Sequence, residues 1–152
     1  MRNVKLERTL AVARSSVWAV LADYPNIADW NHGLKKSYAI GDATEGVGAQ
    51  RQTELVPDGA MRMRETVDEW VPEERMVMAI DKIEKMPANR STMTFTLTDG
   101  GETTLFTMSY EYEPKGGPLA FILGPMLDRQ MNKGLDGFVD NLEAGAQAQA
   151  AA

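Results

Sequence analysis

The feature that most limits what this chain can fold into is a change of hydrophobic period near residue 116. Between residues 36 and 112 apolar and polar residues mostly alternate, the repeat of strands with one buried face. After Gly116-Gly117-Pro118 the apolar residues are Leu123, Leu127, Met131, Leu135, Phe138 and Leu142, at spacings of four, four, four, three and four. That is the stripe of one amphipathic helix. An α+β arrangement follows, in which a sheet is built first and a long helix then covers its apolar face.

The alternating block divides into six strands: Lys36–Ile40, Val47–Val56, Met61–Val71, Arg75–Ile83, Arg90–Thr98 and Thr103–Tyr112. The breaks carry turn chemistry: GDATEG, PDG, VPEE, KMPAN and DGG. A further strand, with Val4, Leu6 and Leu10 on one face, precedes them. The pattern predicts seven strands in a consecutive antiparallel meander. Between the first two strands, Ser15 is positioned to cap a short helix whose face is Val17, Val20 and Leu21. Pro25 ends it and starts a second short helix through Trp30. The long helix is expected from Pro125 to Glu143, about 28 Å at 1.5 Å per residue. Residues 1–145 form one domain, and the Ala/Gln tail 146–152 is expected to be disordered or frayed. A curved sheet wrapped on one helix leaves an internal cavity between them.

Composition excludes several classes of function. A net charge of −6 argues against a nucleic-acid partner, which needs a cationic face. The absence of cysteine removes thiolate metal sites and cysteine nucleophiles and fits a reducing, cytoplasmic setting. MRNVKLERTL has no continuous apolar run, so no signal peptide is read. LAFILGPML at 119–127 is the longest apolar patch and too short for a transmembrane segment. One histidine and no cysteine leave no metal-ligand set, GxSxG is absent, and no cofactor is expected.

If Pro57-Asp58-Gly59 closes a hairpin, Leu55 faces Met61, Thr53 faces Met63 and Arg51 faces Glu65. Arg51 and Glu65 then share a face with Leu55, Met61, Met63 and Val67. Two readings are open. In one, a twist or bulge turns the pair outward into solvent. In the other, the charges pair inside the cavity, because either buried alone costs several kcal/mol. There Arg51 addresses a ligand oxygen with its fork of donors, and Glu65 holds it or acts as a base. Met76, Met78 and Ile80 share one face, as do Met93, Phe95 and Leu97. Phe106, Met108, Tyr110 and Tyr112 share another. These sets read as core, and methionine-rich walls also suit ligands of varied shape. Thr92, Thr94, Thr96 and Thr98 make an exposed strand face. Gly134 and Gly137 either admit close approach or are tolerated slack. His32 is either a histidine at the pocket rim or a proton-transfer residue at its mouth. Trp30 is placed to close the cavity.

Three stretches carry a family resemblance: VWAVLADYPNIADW; GVGAQRQTEL followed by MRMRETVDEWVPEER; and the Gly-Gly-Pro lead-in to a helix ending DGFVDNLEAG. Together they resemble the START-like (SRPBCC) superfamily in its polyketide cyclase/dehydrase and lipid-transport branch, over nearly the whole chain. Arg14 departs from the pattern, since many relatives have proline there. The resemblance implies a helix-grip fold with a deep cavity that takes lipids, polyketides, hormones or other apolar molecules, with catalysis in a minority. It also implies that GxGxxR, ending at Arg51, and E-x-V, starting at Glu65, face inward.

The ligand-binding candidates are Arg51, Glu65, Trp30 and Tyr110, with Met63, Met78, Phe95, Met108 and Met131 as apolar wall. Catalytic candidates are Arg51, Glu65 and His32. The favoured function is binding or transport of an apolar or amphipathic small molecule by a monomer or homodimer. One alternative is a cyclase or dehydratase using the same cavity. Another is a co-chaperone-like interaction module that exposes LAFILGPML.

Overall fold

The computed structural model describes residues 2–84, 88–114 and 118–152, with side-chain surroundings given outside 81–90 and 114–121. The KMPAN turn at 85–87 and the Gly116-Gly117 lead-in lie outside the described residues. The elements are β1 (Arg2–Leu10), α1 (Arg14–Ala22), a 3₁₀ helix (Tyr24–Asp29), β2 (Leu34–Ile40), β3 (Gln50–Leu55), β4 (Arg62–Val71), β5 (Arg75–Glu84), β6 (Ala88–Asp99), β7 (Thr104–Pro114) and α2 (Pro118–Ala151). The seven strands form one antiparallel sheet in the order β1-β7-β6-β5-β4-β3-β2.

The meander therefore covers β2 to β7, and β1 departs from it by pairing with β7 at the far edge. The short helices carry the chain across the open end of the sheet. α1 packs on α2, and the 3₁₀ helix packs on β2 and β3. The cap expected at Ser15 is displaced to Ala13, whose extended backbone (ψ 148°) precedes helical Arg14 without a side-chain cap. Arg14 thus holds the first helical position, where proline is favoured. α1 buries Val17, Trp18 and Leu21. Pro25 lies in the first turn of the 3₁₀ helix.

Two bulges interrupt the β4–β5 pairing, one between Arg64 and Glu65 and one between Val67 and Glu69. Bulges bend a strand and increase its twist, and these help curve the sheet. The second also shifts the side-chain phase, so that Trp70 packs inward against Trp18 (5.2 Å) and Tyr24 (6.4 Å).

α2 has 34 residues, about 51 Å of helix. It begins at Pro118 rather than Pro125, which sits inside it. Proline suits a first helical position because its missing N–H would be unpaired there anyway. Nor does helix order end at the tail. The helix continues through Ala151, Ala146 is fully buried, and Gln147 Nε2 donates to the Ala11 carbonyl at 3.3 Å. Alanine is the strongest helix former, which favours this continuation.

Two seams fix α2. The apolar seam is Leu135, Val139, Leu142 and Ala146. Leu123, expected on it, is 43% exposed beside Ile122 (75%) and Met126 (58%). The polar seam runs along β1. Asp128 pairs with Arg2, Asp136 and Asp140 pair with Arg8, and Glu143 Oε2 accepts from the Ala11 N–H at 2.8 Å. Asp128 accepts from Arg2 Nε at 3.0 Å, Arg2 Nη2 at 2.6 Å and Tyr112 Oη at 2.8 Å. Gly124 makes room for this: a Cβ there would fall 2.3 Å from Arg2 Nη1. The Arg2 hydrogen bond holds the Asp128 carboxyl below the ordinary carboxylate value. Burial, then the bond to Asp128, pushes the Tyr112 phenol up to about 12.

Two predictions follow from these seams. A phenol whose folded value is raised stabilises the fold fully below its unfolded value, near 10, and loses that contribution as pH rises through the folded value. Stability should therefore fall from about pH 10 towards about pH 12. Tyr112→Phe should make that slope shallower, as read from urea midpoints across pH. Helix glycines should divide by their surroundings. Gly137 has nothing within 4 Å of a built Cβ, whereas Gly145 has Trp30 Cβ at 3.0 Å. Gly137→Ala should gain up to about 1 kcal/mol from helix propensity. Gly145→Leu should lower the urea midpoint by forcing Trp30 aside.

Candidate functional site

The hairpin of β3 and β4 has the register its turn predicts. Arg51 faces Glu65, Thr53 faces Met63, and the Leu55 N–H donates to the Met61 carbonyl at 2.9 Å. Despite the adjacent bulge, the pair stays on the concave face, with Arg51 3% and Glu65 6% exposed. The solvated reading of this pair is therefore replaced by the buried one.

Arg51 is held on several sides. Nε and Nη2 donate to the two oxygens of Glu65 at 3.0 and 3.2 Å. Nη1 donates to the Tyr24 carbonyl at 2.9 Å, and Nη2 lies 3.7 Å from Met78 Sδ. The guanidinium carbon sits 3.9 Å from the Tyr24 ring centroid, a cation–π contact. Burial opposes the Arg51 charge, but Glu65 and Tyr24 together outweigh it and the pKa stands above its ordinary value. Burial likewise pushes the Tyr24 phenol up. Tyr24 Oη, Trp30 Nε1 and Ser91 Oγ are buried with no hydrogen-bond partner among the described residues.

Between this pair and α2 lies a cavity of about 170 Å³. Arg51, Glu65, Thr53, Met63 and Ile80 form one side, from β3, β4 and β5. Met93, Phe95 and Tyr110 continue it on β6 and β7. Met131, Leu135 and Phe138 cover it from α2, where Gln130 and Gly134 also border it. Ile27, Asn31 and Leu34 complete the wall. Phe95 and Phe138 stack with centroids 5.4 Å apart and planes at 24°. Burial pushes the Tyr110 phenol above its ordinary value; the nearby Ser91 hydroxyl opposes this, and the charge of Glu65 adds to it.

Of the candidates, Arg51, Glu65, Met63, Phe95, Tyr110 and Met131 converge on the cavity. The other four do not line it. Met78 lies behind Arg51, fully buried. Met108 is fully buried, opposite Leu6 and Phe95 in the ladder. Trp30 packs edge-on against Phe138 at 5.2 Å and seals the helix rather than lining the space. His32 is exposed outside the wall. Asn31, its neighbour in the Asp29-Trp30-Asn31-His32 run, is not among the candidates but lines the cavity. Its Oδ1 accepts from Asn141 Nδ2 at 3.2 Å and from the Gly33 N–H at 3.1 Å, tying the loop to α2. The DWNHG run held that signal, since asparagine favours such turns. No group of three or more metal-ligating side chains occurs among the described residues, and no helix among them is long and apolar enough to cross a membrane.

A curved antiparallel sheet gripping one long helix over a cavity defines the START-like class. The chain belongs to the family described as polyketide cyclase / dehydrase and lipid transport, whose model matches residues 1–147. No curated protein matches the sequence. Solved structures share the fold. TTHA0849 from Thermus thermophilus has a TM-score of 0.79 at 18% identity, covering 97% of this chain and 98% of that one. A START superfamily protein from Mycobacterium smegmatis has a TM-score of 0.79 at 14% identity, covering 96% and 97%. The Zhui aromatase/cyclase from Streptomyces sp. R1128 has a TM-score of 0.78 at 15% identity, covering 98% and 95%.

Removing one member of a buried ion pair strands the other charge, whereas replacing both with apolar groups does not. Arg51→Met alone should therefore cost about 3–5 kcal/mol, and Arg51→Met with Glu65→Leu should cost less than either single change. A urea double-mutant cycle reads this, and simple additivity of the two costs would contradict the coupling.

Proposed function

We propose that this protein binds or carries a small apolar or amphipathic molecule, of lipid, polyketide or aromatic type, in the cavity between its sheet and α2. The observation that carries this reading is the wall itself: mostly apolar side chains from β4–β7 and α2, with a few polar groups among them, chief of which are the Arg51–Glu65 pair and Tyr110. Ligand pockets commonly combine a mostly apolar lining with few placed polar groups. Membership of a family described by cyclisation, dehydration and lipid transport supports the same reading.

The cyclase or dehydratase alternative uses the same space. It is favoured by Glu65 and Tyr110 lining one cavity, where a base and a hydrogen-bond donor are what such chemistry asks for. Binding is the preferred reading, because most of the Arg51 donors are spent on protein groups.

Gly134 borders the cavity and has open space where a Cβ would stand. Gly134→Trp should fill that space while leaving the buried seam of α2 in place. Ligands co-purifying with the wild type, detected by native mass spectrometry, should be absent from this variant, and binding of added ligand should weaken by about tenfold or more. Equal occupancy in both proteins would place the ligand outside the cavity.

A further inference from the structure

We propose that the cavity selects an uncharged ring compound bearing a hydroxyl, a phenol in the simplest case, and rejects carboxylates. This rests on the binding reading above and names the ligand class for the same cavity.

The donors of Arg51 are nearly all spent. A guanidinium has five N–H groups. Nε serves Glu65, Nη2 serves Glu65 and faces Met78 Sδ, and Nη1 serves the Tyr24 carbonyl. One N–H on Nη1 is left, and the Tyr24 ring covers a face of the plane. A bidentate grip on a ligand carboxylate is therefore closed off. An incoming carboxylate would instead meet the Glu65 carboxylate, which lines the same space. Two like charges in a low-dielectric pocket repel strongly.

The groups with spare capacity suit a hydroxyl. A carboxylate offers about four lone-pair sites, and Glu65 uses one on each oxygen for Arg51. Tyr110 lines the cavity, and the charge of Glu65 reaches it. A ligand hydroxyl can donate to Glu65 and accept from Tyr110. Most of the remaining wall is apolar, with the stacked Phe95 and Phe138 rings on it, and Thr53, Asn31 and Gln130 border it as well. In size, about 170 Å³ is close to an apolar protein cavity of about 150 Å³ that holds benzene. That matches one ring with a short substituent rather than a long acyl chain.

Four probes of one shape separate the possibilities at pH 7: 4-ethylphenol, ethylbenzene, 4-ethylbenzoate and 4-ethylbenzylamine, titrated into the full chain by calorimetry. 4-Ethylphenol should bind about tenfold tighter than ethylbenzene, the worth of one net hydrogen bond, with the benzoate and the amine weaker than the phenol. Tyr110→Phe should shrink the preference for phenol over ethylbenzene. A benzoate as tight as the phenol would mean that Arg51 is available, and an amine as tight would make Glu65 a counter-ion; either overturns the proposal. Ethylbenzene binding as tightly as the phenol also overturns it while leaving cavity binding intact. No binding by any of the four would overturn cavity binding itself, and this inference with it. A phenol preference unchanged in Tyr110→Phe would place the hydroxyl away from the polar corner and overturn the assignment.

Discussion

A buried guanidinium needs its donors answered, and Arg51 recruits three elements besides its own strand to do it. β3 supplies the residue, β4 the carboxylate of Glu65, the 3₁₀ helix the Tyr24 carbonyl and ring, and β5 the Met78 sulfur. Each contact replaces hydration that the charge loses on folding. The 3₁₀ helix is thus held against the sheet at one backbone carbonyl, and Tyr24 in turn meets Trp70 and, through it, Trp18. The closed end of the molecule is built outward from this charge. The cavity has its polar corner because the pair cannot be surrounded by hydrocarbon alone.

α2 is the opposing constraint, and it is unevenly held. From Leu135 to Ala146 it has a buried apolar seam, with Asp136 and Asp140 paired to Arg8 of β1 and Glu143 bonded to the Ala11 N–H just after that strand. Ahead of that, Ile122, Leu123 and Met126 are exposed, and the described anchor is Asp128 with Arg2 and Tyr112. The cavity lies where the tightly packed half gives way to the other, beside Gln130, Met131 and Gly134. Phe138 shows the transition: it borders the space while the adjacent Val139 is fully buried.

Much of this was legible because two periods and one turn are local properties. Alternation located the six meander strands, and the PDG turn set the register that opposes Arg51 to Glu65. What escaped was non-local or depended on a break in period. The pairing of β1 with β7 joins residues roughly a hundred apart, and nothing in either strand names its partner. The bulge after Val67 inserts a residue that strict alternation does not show, and so it moves Trp70 to the inner face. The acidic stripe at Asp128, Asp136, Asp140 and Glu143 has helical spacing, but its meaning requires β1 beside it. The site candidates divide in the same way. Residues placed by hairpin register reached the cavity, whereas Met78 and Met108 share faces with lining residues but lie under other side chains.

Sharing a face is therefore weaker than sharing a cavity, and the difference bears on function. On a bent sheet the inner face includes both closed core and open wall, and depth beneath α2 decides between them. Phe95 and Tyr110 border the space, while Met108, the ladder partner of Phe95, lies within the core. The polar groups divide by the same rule. Arg51 borders the cavity but is largely consumed by its own support, Asn31 is tied to Asn141 and Gly33, and His32 is outside the wall. Among the buried polar groups of the wall, Glu65 and Tyr110 keep hydrogen-bonding capacity for a guest, beside one N–H of Arg51 and the Thr53 hydroxyl. On the proposed reading, recognition in this cavity turns mainly on Glu65 and Tyr110 rather than on the guanidinium that is the most evident charge in it.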